Sequence, residues 1–408
     1  MNSSQSVRGT SESRVPKGQP PLRILTLTPF FPSRDDEVSG CFVAEPIRLL
    51  DQFGISPSVI AVSPIHNSPK KRGDSARADW VRYPQIPGTL GIASAGLGLY
   101  ARLRGKVSRL HRENPLDLIH AHAALPCGHA AALLSRHLRI PFLVTVHGLD
   151  VFNTCLLDGA PAAWRRRASI EVYRTACMTL CVSGKVQYLL REGMPDDVRS
   201  AVLYNGTDTD LFCPPSPMQD FRNSHEILIV GALKRNKGHD LALKAIGQIA
   251  ASFPNLRCRI IGDGPDRFQL ESLARELRIA NCVVFEGNKG RAEVSAAMQS
   301  CSVFVLPSRY EGLGCVYLEA MACGKPVIAC RGQGIDEIVK HQENGWLIPV
   351  DGQEELAQGI CTLLRSPDLR ERIGASGRAT ILNGLTLSDH ARRLAETYRA
   401  ISGGEQPS

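Results

Sequence analysis

Short apolar runs recur along this chain, and most are followed by stretches patterned for helices. Leu22-Arg23-Ile24-Leu25-Thr26-Leu27-Thr28 opens the series, continued by Pro57–Val62, Leu116–His120, Phe142–Val146, Met178–Val182 and Ala201–Tyr204. Such a run fits a strand buried on both faces, and strands alternating with helices build a parallel sheet. A turn and a proline-rich passage, Tyr204-Asn205-Gly206-Thr207-Asp208 through Phe212-Cys213-Pro214-Pro215, interrupts the alternation. It restarts at Ile227–Val230, Arg257–Ile261, Cys282–Phe285, Val303–Leu306, Pro326–Ala329 and Gly345–Ile348. The pattern predicts an α/β chain of two doubly wound, Rossmann-like domains over residues 21–210 and 211–384. Residues 1–20, rich in Ser, Gly, Pro and charge, read as a disordered tail, and residues 385–408 carry an amphipathic helix pattern from Ser388 to Ile401.

Composition narrows the class without changing that outline. The 408 residues suffice for two ordinary domains, and 43% hydrophobic with 22% charged residues describes a globular protein with a core. A net charge of +8 fits an anionic ligand or an acidic membrane surface and is too small to argue for nucleic acid. Thirteen cysteines, an odd count without a CxxC pair, point to free thiols in a reducing cytoplasm. No signal peptide is legible in Met1–Gln19, and no run approaches the ~18 apolar residues of a membrane span. Between Leu97 and Arg112, the residues Leu97, Tyr100, Leu103, Val107 and Leu110 repeat at helical spacing, while Arg102, Arg104, Lys106, Arg109 and Arg112 fall mostly elsewhere. The plain reading is a helix packed on the sheet with a solvated basic face; the alternative is peripheral contact with an anionic membrane at its inner face.

The candidate chemistry centres on Ser308-Arg309-Tyr310-Glu311-Gly312-Leu313-Gly314-Cys315-Val316-Tyr317-Leu318-Glu319-Ala320. Glu311 leaves a predicted strand, Gly312 and Gly314 permit close backbone approach, and Glu319 lies one turn inside a helix spanning Cys315–Cys323. A helix N-terminus behind a glycine turn suits phosphate, while carboxylates accept from hydroxyls, so a nucleotide sugar satisfies both. Gly40 ends the loop after the first strand and opens a helix from Cys41 to Phe53, without forming a GxGxxG motif. His147 leaves another strand in Val144-Thr145-Val146-His147-Gly148-Leu149-Asp150, where ligands of open α/β sheets bind. His120 and His122 sit two apart at a strand end, but no third ligand at suitable spacing completes a metal site.

Glu311 to Glu319 in this setting resembles the E-x7-E signature of retaining family 4 (group 1) glycosyltransferases, here of the bacterial polysaccharide, teichuronic-acid-like type. HGLD at 147–150, the NGxD passage at 205–208 and Gly231-Ala232-Leu233-Lys234-Arg235-Asn236-Lys237-Gly238 fit the same family, and the likeness covers nearly the whole chain from Leu22. It implies the GT-B architecture, with a final helix crossing back to the first domain. By resemblance, Glu319 holds the ribose hydroxyls and Glu311 the donor sugar. Lys237, Gly40 and the loop of Gly312, Leu313, Gly314 and Cys315 cradle the diphosphate, and His147 stabilises the sugar as its bond to phosphate breaks. The family's usual arginine is replaced by Ala232, leaving Arg235 or Lys234 to supply the second cation. No cofactor or metal is expected, since Asp208-Thr209-Asp210 lies in the linker and reads as turn chemistry. The expected partners are a nucleotide-sugar donor and a saccharide or lipid-linked acceptor, and no nucleic acid. A sugar-nucleotide epimerase on the same architecture and a non-catalytic sugar-nucleotide-binding relative are the rival readings.

Overall fold

The computed structural model describes residues 20–33, 36–67, 78–85, 89–148, 150–151, 160–216, 222 and 224–404. The tail reading thus falls outside the described residues except at Pro20, as does Leu149 of the HGLD element.

The first lobe runs β1 (Leu22–Thr28), α1 (Cys41–Leu49), β2 (Ile55–Pro64), β3 (Ala78–Tyr83), α2 (Thr89–Glu113), β4 (Leu118–His122), α3 (His129–Leu138), β5 (Phe142–Val146), α4 (Ala160–Thr175), β6 (Thr179–Cys181), α5 (Gly184–Gly193) and β7 (Ser200–Val202). Its strands form a parallel seven-stranded sheet in the order β3-β2-β1-β4-β5-β6-β7. The second lobe runs β8 (Glu226–Val230), α6 (His239–Ile249), β9 (Arg257–Ile261), α7 (Arg267–Glu276), β10 (Val283–Gly287), α8 (Arg291–Ser300), β11 (Val303–Val305), α9 (Cys315–Ala322), β12 (Val327–Cys330), β13 (Trp346–Ile348), α10 (Gln353–Arg365) and α11 (Pro367–Leu382), and is followed by α12 (Leu387–Ser402). Its parallel six-stranded sheet has the order β10-β9-β8-β11-β12-β13. The central strands are buried along their whole length, as in β4, β5, β11 and β12, which is why they read as unbroken apolar runs rather than as alternation.

Two elements escaped the sequence reading. β3, ADWVRY, is an edge strand with polar residues and one exposed position, so it lacks an apolar run. α3 carries His129, Arg136 and His137 among alanines that are buried without being conspicuous. Within α2 the expected apolar stripe holds except at its first member, with Tyr100 and Leu110 packed against the core. Leu99, Leu103 and Val107 are fully buried, whereas Leu97 is half exposed and faces outward. Arg102, Arg104, Lys106, Arg109 and Arg112 are all exposed, with Lys106 paired to Asp79 of β3 at 2.9 Å.

The chain order reverses around β1 in the first sheet and β8 in the second, and ligands of open α/β sheets bind beyond the strand ends at such switch points. The loops after β1, β5, β8 and β11 carry Gly40, His147, Lys237 and Glu311 respectively.

The chain crosses between lobes twice, and the crossings pair with each other. Thr207 N–H donates to Leu385 at 3.1 Å and Leu387 N–H donates to Thr207 at 2.8 Å, an isolated parallel bridge between Thr207 and Thr386. After the second crossing α12, opened by a capping box of Thr386 and Asp389, returns to the first lobe. There Leu394, Ala395, Tyr398 and Ile401 join Ile24, Leu118 and Leu143 in one buried cluster. The two Asp residues of Asp208-Thr209-Asp210 do form a turn, with Asp208 Oδ1 accepting from Asp210 and Leu211 N–H at 3.0 Å.

Candidate active site in the interlobe cleft

The loop after β11 and the turn after β8 meet through Gly238. Its φ is +72°, and a Cβ there would sit 2.0 Å from the Pro307 carbonyl, so only glycine lets the two segments touch. This contact delivers Lys237 Nζ to the Glu311 carboxylate at 2.5 Å, a pair only about one-fifth exposed on the lysine side and less on the glutamate side. Ser308 Oγ also donates to Glu311 Oε2 at 3.3 Å, and Glu311 N–H donates to Gln333 Oε1 at 3.0 Å. Arg235 lies in the same turn with an exposed side chain, while its carbonyl accepts from Arg309 Nη1 at 2.8 Å. Arg309 in turn grips Asp240 with two nitrogens at 2.7 and 2.9 Å.

Gly312 touches the opposite lobe. A Cβ on it would lie 2.4 Å from the His147 carbonyl, and its own carbonyl accepts from Ser183 Oγ at 2.6 Å. Glu337 closes the same rim, accepting from the Gly184 and Lys185 N–H groups at the start of α5 at 2.7 and 2.6 Å and from Tyr204 Oη at 2.8 Å. A carboxylate on free N–H groups at a helix start is favourable in both charge and geometry. Leu313 is buried behind the loop, and Gly314, at φ +84°, begins α9. Cys315 Sγ accepts from Asn205 Nδ2 at 3.3 Å; burial, followed by the nearby Glu319 charge, pushes its thiol up to about 12, so it stays protonated.

The His147 ring turns into the first lobe. Its Nε2 lies 3.0 Å from His122 Nδ1, the two rings stack at 5.2 Å, and Phe30 and Phe42 pack on its other sides. Asp150 orients the loop by accepting from the His147, Gly148 and Val151 N–H groups at 2.8–3.2 Å. His120 bonds Tyr398 Oη of α12 and Thr145 Oγ1, each at 2.7 Å. His120 and His122 thus serve as partners within the protein. Among the described residues, no group of three or more His, Cys, Asp or Glu is placed to hold a metal ion. Gly40, at φ +84°, lets the loop after β1 fold against Phe30 and Phe31 as α1 begins.

Glu319, eight residues after Glu311, has partners of its own. It is buried and ion-paired to Arg291 of α8, whose other nitrogens grip Glu45 of α1 at 2.9 and 3.0 Å. The structure therefore brings Glu311, Gly312, Lys237 and the His147 loop to one rim. Glu319 sits with Arg291 and Glu45, and Arg235 stands exposed beside Lys237. Arg291, Glu45, Ser183 and Glu337 were invisible to motif reasoning because each finds its partner across the cleft, far away in sequence. Only Ser183, preceding a helix pattern, carries a local signal as an N-cap, bonding Val186 N–H at 3.2 Å.

The imidazoles give this site a pH signature. Burial, reinforced by neighbouring histidines, lowers His120 and His147 to about 3 and holds His122 well below the usual histidine value; burial also lowers His390 of α12, opposed by its 2.7 Å bond to the Tyr204 carbonyl. All four stay neutral in the folded protein below about pH 6.5, where an unfolded histidine takes a proton. Unfolding therefore binds protons, and stability falls as pH drops below about 6.5, the fall continuing towards about 3 for His120 and His147, each with a limiting slope of ~1.4 kcal/mol per pH unit. Denaturant titrations are expected to show a flat stability above about pH 7 and a steepening loss below about pH 6.5. Equal stability at about pH 6.5 and 5 would mean that the imidazoles charge within the fold.

Two open parallel α/β sheets facing one another, with glycine-rich loops, a cation and carboxylates at the strand ends, have the GT-B architecture. The model of the glycosyl transferases group 1 family matches residues 219–380, and that of glycosyltransferase family 4 matches residues 42–211. An uncharacterized glycosyltransferase of Methanocaldococcus jannaschii is 32% identical over 263 residues, covering 64% of this chain and 70% of that protein. A Bacillus subtilis glycosyltransferase assigned provisionally to teichuronic acid biosynthesis is 25% identical, over 93% of this chain and 99% of its own. Among solved structures, HepE of Anabaena in complex with UDP-glucose superposes with a TM-score of 0.72 at 22% identity, over 93% of this chain and all of that one. The chain belongs to the group 1, family 4 glycosyltransferases.

Proposed function

We propose that this protein moves a sugar, with retention at the anomeric carbon, from a nucleoside-diphosphate sugar to a saccharide or lipid-linked acceptor of a surface polysaccharide. The observation that carries the reading is the Lys237–Glu311 pair at Gly312, pressed against the His147 loop at the strand ends of both lobes. In this reading Glu311 grips the donor sugar's hydroxyls, Glu319 the ribose, and Lys237 the diphosphate together with amides at the start of α9. Gly40 gives the diphosphate close approach from the first lobe. His147, neutral and wedged against His122, supports the sugar as the bond to phosphate breaks. The UDP-glucose named for HepE supports the donor class, and the Bacillus subtilis relative supports the acceptor class. No resident metal is required, because Lys237 and the helix start carry the phosphate charge. The test incubates the protein with a panel of nucleotide sugars, with and without EDTA, and follows slow donor hydrolysis. Free sugar with the anomeric configuration kept and no loss in EDTA is expected. A new nucleotide sugar would mean an epimerase, and no turnover of any donor a non-catalytic binder.

Ala232 leaves one cation where two phosphates have to be neutralised, and exposed Arg235 is two residues from Lys237. Arg235→Ala is expected to weaken nucleoside diphosphate binding by about tenfold, as for a charge-assisted hydrogen bond, and nucleoside binding hardly at all. Ala232→Arg should restore much of the loss. Unchanged diphosphate affinity in Arg235→Ala would leave Lys237 as the working cation alone.

The exposed cations of α2 fit a peripheral membrane contact, at about 1 kcal/mol per basic residue near an anionic surface. No helix among the described residues is long and apolar enough to cross a membrane. Reversing charge at Arg102, Arg104 and Arg109 is expected to abolish salt-sensitive sedimentation with phosphatidylserine vesicles. Sedimentation indifferent to the reversal would leave α2 a packed helix only.

A further inference from the structure

One guanidinium touches both lobes and the passage between them. Arg291, at the first position of α8, pairs with Glu319 of α9, holds Glu45 of α1 with two parallel hydrogen bonds of 2.9 and 3.0 Å, and lies over the Phe212 ring at 4.7 Å. Phe212 belongs to the first interlobe crossing and is fully buried. The three ionic side chains are 14%, 14% and 4% exposed for Glu45, Arg291 and Glu319. Burial works against the charge on Arg291, but the carboxylates around it outweigh that cost and hold it protonated. Burial and Glu319 raise the Glu45 carboxyl, opposed by Arg291. An ion pair this enclosed costs desolvation, and removing one member strands the others, so it fixes geometry more than it adds stability. No motif places these residues together. Glu45 comes from the first lobe, 246 residues from its partner.

We propose that Arg291 is the positioning residue for Glu319, braced across the cleft by Glu45, so that nucleoside binding reads whether the lobes are closed. The proposal rests on the reading of Glu319 as the ribose-holding carboxylate. A glutamate gripping two vicinal hydroxyls has to present its carboxylate plane at a fixed angle, and a single long side chain on a helix does not fix that angle. The planar guanidinium does so from one side, and its two-toothed grip on Glu45 stops it rotating. Opening the lobes withdraws Glu45, frees Arg291 to turn and leaves Glu319 poorly aimed. Closure and nucleoside affinity are thereby linked, each favouring the other.

The test is a calorimetric cycle on the full chain. The tightest binder among UDP, GDP, ADP and CDP is titrated together with its 2′,3′-dideoxy analogue into wild type, Arg291→Met, Arg291→Lys, Glu45→Gln and Glu319→Ala. Removing the ribose hydroxyls is expected to cost wild type about tenfold or more. Arg291→Met should show the same loss with the natural diphosphate and no further loss with the dideoxy analogue. Glu45→Gln should show a smaller loss of the same kind, and Arg291→Lys partial recovery. A merely structural arginine would weaken both ligands equally, and that additive result in Arg291→Met would overturn the proposal. Should Arg291→Met fail to fold, Glu45→Gln decides by the same criterion. Glu319→Ala separates the two levels. If it too remains sensitive to the ribose hydroxyls, or if no diphosphate binds wild type, the ribose reading falls and the proposal with it. If Glu319→Ala alone loses that sensitivity, the reading stands and the role of Arg291 is overturned.

Discussion

Glu311→Gln should reduce kcat by about 10²–10³-fold while the protein keeps its fold. That is the scale on which removing one electrostatic contact to a developing charge acts in an enclosed site. The carboxylate stands at the carboxyl end of β11, beside Gly312 and within bonding distance of Lys237 and Ser308. An amide of the same size keeps the Ser308 contact and the backbone bond to Gln333, and loses only the charge. The Lys237 pair is mostly enclosed, but the amide oxygen can still accept from Lys237 Nζ, so the substitution costs the fold about 1–3 kcal/mol. The measurement is single-turnover transfer with the donor found by hydrolysis, alongside a thermal melt. Turnover equal to wild type would take Glu311 out of the reaction and leave Lys237 with a structural partner only.

Gly312→Ala is expected to lose about 10²-fold in kcat/KM for a different reason. The added methyl would sit 2.4 Å from the His147 carbonyl oxygen, roughly 1 Å inside an ordinary C···O contact. The loop has no room to retreat, since the Gly312 carbonyl is bonded to Ser183 and a Cβ on Gly334 would already lie 1.7 Å from it. The strain is relieved by parting the lobes, which stretches the Ser183 and Glu337 bonds at the rim. Misplacing reacting groups by about 1 Å is enough for a loss of this size. Small-angle scattering should show a larger radius of gyration in Gly312→Ala, with secondary structure unchanged by circular dichroism. Wild-type turnover in this variant would mean that the lobes do not meet at Gly312 when the reaction occurs.

The strands buried on both faces were legible because a parallel sheet writes itself as apolar runs, and Phe142–Val146 and Val303–Val305 fall where the runs predict them. β3 was not, because an edge strand is free to carry Asp79 and Arg82. Among the candidate site residues, Glu311, Lys237, Gly40 and His147 could be singled out because each lies in a loop that follows a strand. The partners that now define their surroundings were not. Glu319 needed Arg291 and Glu45, His147 needed His122, and His120 needed Tyr398, 278 residues away. A local pattern records what a residue offers, whereas folding decides which distant residue accepts it.

The paired crossings at Thr207 and Thr386 limit how the cleft can move. A single strand joining two bodies permits bending, twisting and sliding. Two strands hydrogen-bonded side by side resist twist and shear as a ribbon does, leaving bending about one axis as the soft motion. Because α12 is packed into the first lobe after the second crossing, that ribbon is anchored at both ends. Such a link favours bending about one axis, and the interlobe contacts of Ser183 with Gly312, Glu337 with α5 and Arg291 with Glu45 all lie where bending of that kind would open or close them together.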